Sequence, residues 1–465
     1  MATKQLPKKW DGEADIVVVG GGNAGLPAAI IAQDKGAKVI VLEASSGMAS
    51  SLAMIAGGTP FAGTDIQKSL GIEDSGDAMY EEAIAVSGGD HALWRAICDN
   101  QLATYQWLVS IGAKPDLVLQ APGHKVRRSI KFVGHGVGLC KLLKETSEAR
   151  KLDIRFKHRA ENLIFDPAKG RVIGVRAKSD GKVANFKAKK GVILTTGGFC
   201  RNIDLVKEYG PEYAYLLPAA PPTHMGDGLK MSLALGAATA GIGLAVCPSM
   251  PCDPDTGRCL TGGWGGVAVN QKAQRWGNEA TGVLGSYTQT WKELLKQDPS
   301  GIHFQIFDEE IKKAQPNRAP GPEKVVSAPT IEELATKLGL DPKALKATVD
   351  EYNSDIQKYG VDKKFGRSQQ GMAEPGKPPR LINHPPYYGI KCKICLTSMK
   401  GGLKINRKCQ VLGHFDEVIP GLYAAGEITG GLMGIPSHYY TGTMTLQAFT
   451  QGYIAANSAV AETVD

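Results

Sequence analysis

The stretch DIVVVGGGNAGLPAAIIAQDKGAKVIVLE, residues 15–43, decides the fold. DIVVV (15–19) is an apolar run of strand length, rich in β-branched residues and closed by glycine. That is the pattern of a parallel strand buried on both faces. The spacing after GGGNAG predicts a helix over 26–35, and AKVIVLE (37–43) is a second strand. The three pieces make a βαβ unit. Gly20, Gly22 and Gly25 form G-x-G-x-x-G, and Glu43 closes the second strand. A dinucleotide demands a tight turn, a backbone that approaches its pyrophosphate, a close helix–strand contact and a carboxylate for ribose hydroxyls. Glycines in this order say little alone. With a strand before, a helix after and an acid at the second strand's end, they predict a dinucleotide site.

The rest of the composition is that of a globular chain. It has 465 residues, 43% hydrophobic and 22% charged, enough for two or three domains with large cores. The net charge of +8 is spread along the chain. It favours anionic small ligands, and no Lys/Arg block is dense enough for nucleic acid. The nine cysteines are scattered, as for inert thiols in a reducing compartment. Cys392 and Cys395 make one C-x-x-C, without a following histidine for haem or a second pair for zinc, so no metal is expected. The opening MATKQLPKKWDGEAD does not read as a signal peptide. The apolar run 16–32 is broken by glycines and a proline, so no membrane span is expected. These features together predict a cytoplasmic protein.

Further along, the region from Gly57 to about 150 reads as largely helical with polar turns. VIGVRAKSDGKVANFKAKKGVILTTGG (172–198) alternates like a meander and ends in a buried strand. GDGLKMSLALG (226–236) is an amphipathic helix opening on Asp227. Residues 241–380 hold twelve of the 26 prolines and a helical piece over 330–356, and read as an inserted domain. Strands return from about 381, followed by GLYAAGEITGG and a closing helix.

In order along the chain, GGGNAG with Glu43, VILTTGGF (192–199), THMGDGLKMSLALGA (223–237), GVAVNQKAQRWGNE (266–279), FQIFDEE (304–310) and PGLYAAGEITGG (420–431) resemble one family. It is the flavoprotein family of fumarate reductase and succinate dehydrogenase, with 3-ketosteroid dehydrogenases, urocanate reductase and tricarballylate dehydrogenase. GTDIQKSLGIEDSGDAMYEEA (63–83) is similar to the soluble flavocytochrome-type fumarate reductases. The resemblance implies an α/β fold: a split Rossmann-like FAD-binding domain (1–240 and 381–465) with an inserted α+β capping domain (241–380). It implies FAD as cofactor, contacted by Gly20, Gly22, Asn23, Ala24, Gly25, Glu43, Ala44, Ser51, Gly57, Gly58, Thr196, Gly197, Gly198, Asp227, Gly426, Glu427, Thr443 and Met444. Membrane-bound relatives attach the flavin through a histidine six residues before a Gly-Gly pair. Ser51 stands there, so noncovalent FAD is expected. No haem segment precedes the flavin domain, so electrons are expected to pass to or from an external partner.

The family's fumarate site carries an arginine in N-E-x-x-x-R, and a histidine and an arginine after G-E-x-T-G-G. Here Val283, Met433 and Ser437 fill those places. The C-terminal loop GGLMGIPSHYYTGTMT (430–445) instead looks like that of ketosteroid 1-dehydrogenases and tricarballylate dehydrogenase. In the ketosteroid enzymes a tyrosine hydroxyl and a glycine N–H hold the substrate carbonyl. Tyr439 or Tyr440 with Gly442 are the candidates, with His438 as a third side chain, and a one-residue insertion leaves the choice of tyrosine open. Tyr287 is the candidate base from the cap, while Arg275 reads as structural. His124, Arg127 and Arg128 read as a solvated basic face, or as a clamp if the substrate carries a carboxylate. The expectation is an FAD-dependent dehydrogenase or ene-reductase of the C–C bond beside a carbonyl, acting on a small cyclic ketone or oxo-acid. The alternatives are a fumarate- or urocanate-type reductase, a tricarballylate-type dehydrogenase, or a flavin electron-transfer subunit.

Overall fold

The structure is a computed structural model. It describes residues 6–48, 50–54, 58–121, 123–255, 265–280, 286–314, 324–370, 376–435 and 438–463, with the side chains of 244–251 and 286–290 outside that description. The chain forms two compact units. One comprises residues 1–214, 220–246 and 398–465, the other 215–219 and 247–397.

The first unit is built on the expected βαβ element. Strand Gly12–Val19 leads into helix Gly25–Asp34 and strand Val39–Leu42. Ile16, Val17, Val18, Val39, Ile40 and Val41 are buried, as a sheet covered on both faces requires. Strands Gln410–Leu412, Val418–Ala424, Lys182–Leu194, Gly12–Val19, Val39–Leu42 and Asp153–Arg155 lie side by side in that order. Every neighbouring pair is parallel except the first, and Val17 faces both Ile40 and Val192. The meander is Arg159–Asp166, Arg171–Ser179 and Lys182–Leu194, paired antiparallel.

The closing helix Thr443–Ala461 packs against helix Gly25–Asp34. It is apolar around much of its circumference, and Leu446, Phe449, Ala455 and Ala456 are fully buried. Such a helix belongs inside a core rather than on a surface. Its N-terminus is thereby held at the end of the parallel sheet where G-x-G-x-x-G turns.

Residues 58–150 contain the expected helices Gly76–Ser87, His91–Ser110 and His135–Ala149. They also contain a small antiparallel sheet of Thr59–Pro60, Ser129–Phe132 and Pro115–Leu119 that the helical reading lacked. In the second unit, Val267–Asn270 and Ile302–Asp308 pair antiparallel, and Ile302–Asp308 pairs antiparallel with residues 387–393 of strand Tyr387–Leu403, whose residues 398–403 belong to the first unit. Val269, Phe304, Ile306, Leu334, Leu345 and Tyr352 share its core. The helical piece over 330–356 is two helices, Ile331–Leu338 and Pro342–Tyr359. Gly339 ends the first in the left-handed region, and Asp341 caps the second by accepting from Ala344 N–H, with Pro342 at its first turn.

Candidate active site

At the end of strand Gly12–Val19 the chain turns at Gly20 with φ +106°, where a Cβ would lie 2.5 Å from the carbonyl oxygen of Thr195. A Cβ on Gly25 would overlap the Gly20 carbonyl. Only glycine allows this turn to close. Helix Gly25–Asp34 starts without a side-chain cap. Leu26 N–H is taken by the Gly22 carbonyl at 3.0 Å and Pro27 has no N–H, so Gly25 N–H is the first-turn donor left for a ligand. Glu43, 4% exposed, accepts from Gly21 N–H at 2.7 Å through Oε2 and from Ser45 N–H at 2.8 Å through Oε1. These bonds fix the carboxylate at the mouth of the turn.

A cleft open to solvent lies here, lined by the glycine turn, Glu43 and the start of the final helix. Of the contact residues expected from the sequence, Gly20, Gly22, Asn23, Ala24, Glu43, Ala44, Ser51, Thr196, Gly197, Asp227, Gly426, Glu427 and Met444 line it. Gly25 packs beneath Gly20, Gly58 lies against Ser129, and Gly198 lies against Glu427. The Thr443 hydroxyl is turned to the carbonyl of Tyr440. Gly57 lies outside the described residues. The wall also includes His158, Arg159, Ala160 and His224, which sequence reasoning did not single out as site residues. His224 sits in the quoted THMGDG stretch, and that was the available signal. Arg159 pairs with Asp227 at 2.8 Å.

The residues fit a flavin dinucleotide. Buried polar atoms of the wall stand without a protein partner: Thr196 Oγ1, His224 Nδ1 and Glu427 Oε1. Such atoms are costly unless a ligand or water meets them. His224 Nε2 is 3.5 Å from the Ser51 hydroxyl, and His224 Nδ1 is 3.6 Å from Glu427. Burial, then Arg201, lowers the His224 imidazole to about 4. Burial raises the Glu427 carboxyl to about 8. The contact is therefore between two neutral groups at pH 7 and not an ion pair.

This has a signed consequence for stability. Glu427 keeps its proton when folded and loses it near 4.5 when unfolded. Its contribution is full below about pH 4.5 and is lost as pH rises toward about 8. His224 acts at the other end: below about pH 6.5 the unfolded chain takes up its proton first, which weakens the fold down to about pH 4. Melting temperatures of the ligand-free protein, measured between about pH 5 and about pH 8, are expected to decline less in Glu427→Gln than in the parent. Parallel declines would contradict the buried neutral acid.

The C-terminal loop divides the two tyrosines. Tyr440 is fully buried. Its hydroxyl donates to Glu82 at 2.9 Å and accepts from Arg128. Arg128 also donates to Asp74 at 2.8 and 3.0 Å and to Glu82 at 2.8 Å. The His124 ring lies against the Tyr440 ring, centroids 4.5 Å apart and tilted by 41°, with its Nε2 3.0 Å from the Thr441 carbonyl. Burial, then Arg128, lowers the His124 imidazole to about 3. The solvated basic face is thus corrected: Arg128 is 1% and His124 5% exposed, and only Arg127 faces solvent. Two carboxylates and a phenol drew these residues inward. Arg128 is engaged within the fold and is not presented as a carboxylate clamp.

Tyr439 is half-buried, and its hydroxyl accepts from Met444 N–H at 3.4 Å. Met444 is on the cleft wall, and this bond ties the phenol to it, although Tyr439, Tyr440, Gly442 and His438 are not themselves among the residues that line the cleft. Gly442 is that helix's N-cap residue. His438 is half-buried, with its carbonyl accepting from Lys400 at 2.7 Å. Met433 is buried, while Ser437 and Val283 lie outside the described residues. Tyr287 belongs to helix Ser286–Gln297, and its side chain is outside the description. Arg275, in the second unit, bonds Glu279 at 2.7 Å and Asp362 at 2.8 Å in a buried network. Cys392 and Cys395 are buried free thiols in strand Tyr387–Leu403. Among the described residues, no helix is long and apolar enough to cross a membrane.

Comparison with known proteins agrees with this geometry. The family described as FAD binding domain matches residues 15–438. A fumarate reductase (cytochrome) of Shewanella frigidimarina is 31% identical over 433 residues, 90% of this chain and 72% of that one. The open conformation of a flavocytochrome c3 fumarate reductase superposes with a TM-score of 0.85 at 27% identity, covering 98% of this chain and 79% of that one. A 3-ketosteroid-Δ4-(5α)-dehydrogenase from Rhodococcus jostii, solved with 4-androstene-3,17-dione, gives 0.70 at 29% identity, with 99% of both chains covered. The chain belongs to the FAD-binding flavoprotein family of the fumarate reductases and is an FAD-dependent oxidoreductase acting on C–C bonds.

Proposed function

We propose that this flavoenzyme is a dehydrogenase or ene-reductase of the C–C bond α,β to a carbonyl. Its substrate would be a small cyclic ketone or oxo-acid, of the 4-oxocyclohexanecarboxylate or 3-ketosteroid type. The observation that carries the reading is Tyr439, half-buried beside the cleft at a helix N-terminus. The solved ketosteroid dehydrogenase among the similar structures supports it, as does the engagement of Arg128 by Asp74 and Glu82.

Bound FAD supplies hydride transfer at its N5 position. In the desaturating direction the substrate loses its β-hydrogen as hydride to the flavin, which takes up the two electrons, and its α-hydrogen as a proton to a general base, the role for which the sequence offers Tyr287. The chain's part is to make the α-proton removable. Tyr439 O–H and Gly442 N–H donate to the carbonyl oxygen, where negative charge develops as the proton leaves. The positive end of helix Thr443–Ala461 favours that charge. Ser51 offers a hydroxyl where relatives attach the flavin through histidine, so acid precipitation is expected to release all the flavin. Colour retained in the pellet would mean a covalent bond.

A second reading, reduction of unsaturated carboxylates, is favoured by the fumarate reductases among the relatives and by Lys400, a buried ammonium beside Tyr439. One experiment separates them. The flavin is reduced anaerobically with a dye, and cyclic enones or unsaturated mono- and dicarboxylates are added. Return of the yellow colour with enones supports the ketone reading. If acids alone restore it, the ketone reading is wrong.

A further inference from the structure

We infer that Lys400 is a positioning residue whose buried ammonium strengthens Tyr439 as a hydrogen-bond donor to the substrate's activating oxygen. The inference rests on the role proposed above for Tyr439.

Lys400 lies on strand Tyr387–Leu403 and is 3% exposed. An ammonium that deep is costly unless dipoles or π-electrons meet it. It donates to the His438 carbonyl at 2.7 Å, and its Nζ stands 5.8 Å from the centre of the Tyr439 ring. One buried charge thus braces the backbone just before Tyr439 and bears on the phenol itself. The backbone that carries it is closely held. A Cβ on Gly401 would overlap Gly241, and one on Gly402 would overlap the Ile428 carbonyl. Leu403 N–H donates to Ile428 at 2.8 Å, and Gly430 N–H donates to Leu403 at 3.0 Å. The lysine therefore cannot drift from the loop by a shift of its strand.

The physical effect follows from charge. A cation over an aromatic ring is attracted to its face. It also favours negative charge spreading from the phenol oxygen into the ring. Met444 N–H, bonded to the Tyr439 oxygen, acts in the same sense. A phenol polarised by both gives up more of its proton to a neighbouring oxygen. Among the described residues, the other titratable groups around the loop include His438 beside Tyr439, His124 on the Thr441 carbonyl, and the Arg128–Asp74–Glu82 cluster on Tyr440. Burial holds His124 neutral, and the Arg128 cluster is engaged with Tyr440. His438→Gln separates the contribution of that imidazole.

Lys400→Met, Lys400→Gln and Lys400→Arg test the inference in the holoenzyme. The neutral variants are expected to lower kcat about tenfold with little change in KM. They are also expected to move the alkaline fall of the kcat–pH profile upward by about one pH unit, while arginine restores most of both. In a Tyr439→Phe background, the same lysine changes should leave the profile unmoved. A second readout needs no substrate: the titration of the isotope-labelled Tyr439 ring carbon, followed by NMR in the oxidised holoenzyme. If it shifts upward in Lys400→Met while no ketone turns over, Lys400 acts on Tyr439 as inferred and the ketone reading is wrong. If it does not shift in a folded, flavin-loaded Met or Gln variant, Lys400 does not act through Tyr439 and the inference is overturned.

Discussion

Tyr439→Phe is expected to lower the rate of flavin reduction by a cyclic ketone by about 10²–10³-fold, with flavin content unchanged. That is the usual cost of removing one donor aimed at a developing oxyanion. The hydroxyl sits at the N-terminus of helix Thr443–Ala461, where it accepts from Met444 N–H. Its ring stays packed in the phenylalanine variant, so the loss belongs to one hydrogen bond. Tyr440→Phe is the matched control. It removes a hydroxyl held between Glu82 and Arg128 in the interior, so it should cost stability and leave most of the turnover. Rapid mixing of oxidised enzyme with ketone, with flavin absorbance followed, measures both. Normal reduction in Tyr439→Phe together with a large loss in Tyr440→Phe would assign the carbonyl contact to the wrong tyrosine.

The contrast between these neighbours shows what a sequence can and cannot carry. The βαβ turn was legible because its determinants are local. Gly20, Gly25 and the strands that flank them in sequence lie within one short segment, and Gly25 closes on the Gly20 carbonyl; the Thr195 carbonyl that also bars a Cβ on Gly20 is the one distant part. Glu43 was legible for the same reason, although its bond to Gly21 closes over 22 positions. Tyr439 and Tyr440 are adjacent and chemically identical, and nothing local separates them. What separates them is Arg128, 312 positions from Tyr440 along the chain. Arg128 in turn was misread because its partners Asp74 and Glu82 lie 54 and 46 positions away. An RR pair in a polar stretch looks like a wet surface until those carboxylates are folded against it. The break within 330–356 is a different case. Gly339, Asp341 and Pro342 are all local signals, and periodicity on either side outweighed them.

Arg128→Met is expected to destabilise the protein by roughly 3–5 kcal/mol, because it strands two carboxylates without a counter-charge. The side chains of Asp74 and Glu82 are 1% and 3% exposed, so water cannot replace the guanidinium. Lysine should rescue little, since one ammonium cannot reproduce the two-pronged bond to Asp74 together with the bonds to Glu82 and Tyr440. Denaturant unfolding of the flavin-loaded protein measures the loss. The expected loss comes from uncompensated charge rather than lost packing, and a combined variant separates the two. Adding Asp74→Asn and Glu82→Gln to Arg128→Met removes both stranded charges and should recover a substantial part of the stability. If the triple variant is no more stable than Arg128→Met alone, the loss comes from packing around Tyr440. In that case the cluster holds the loop by shape and not by charge.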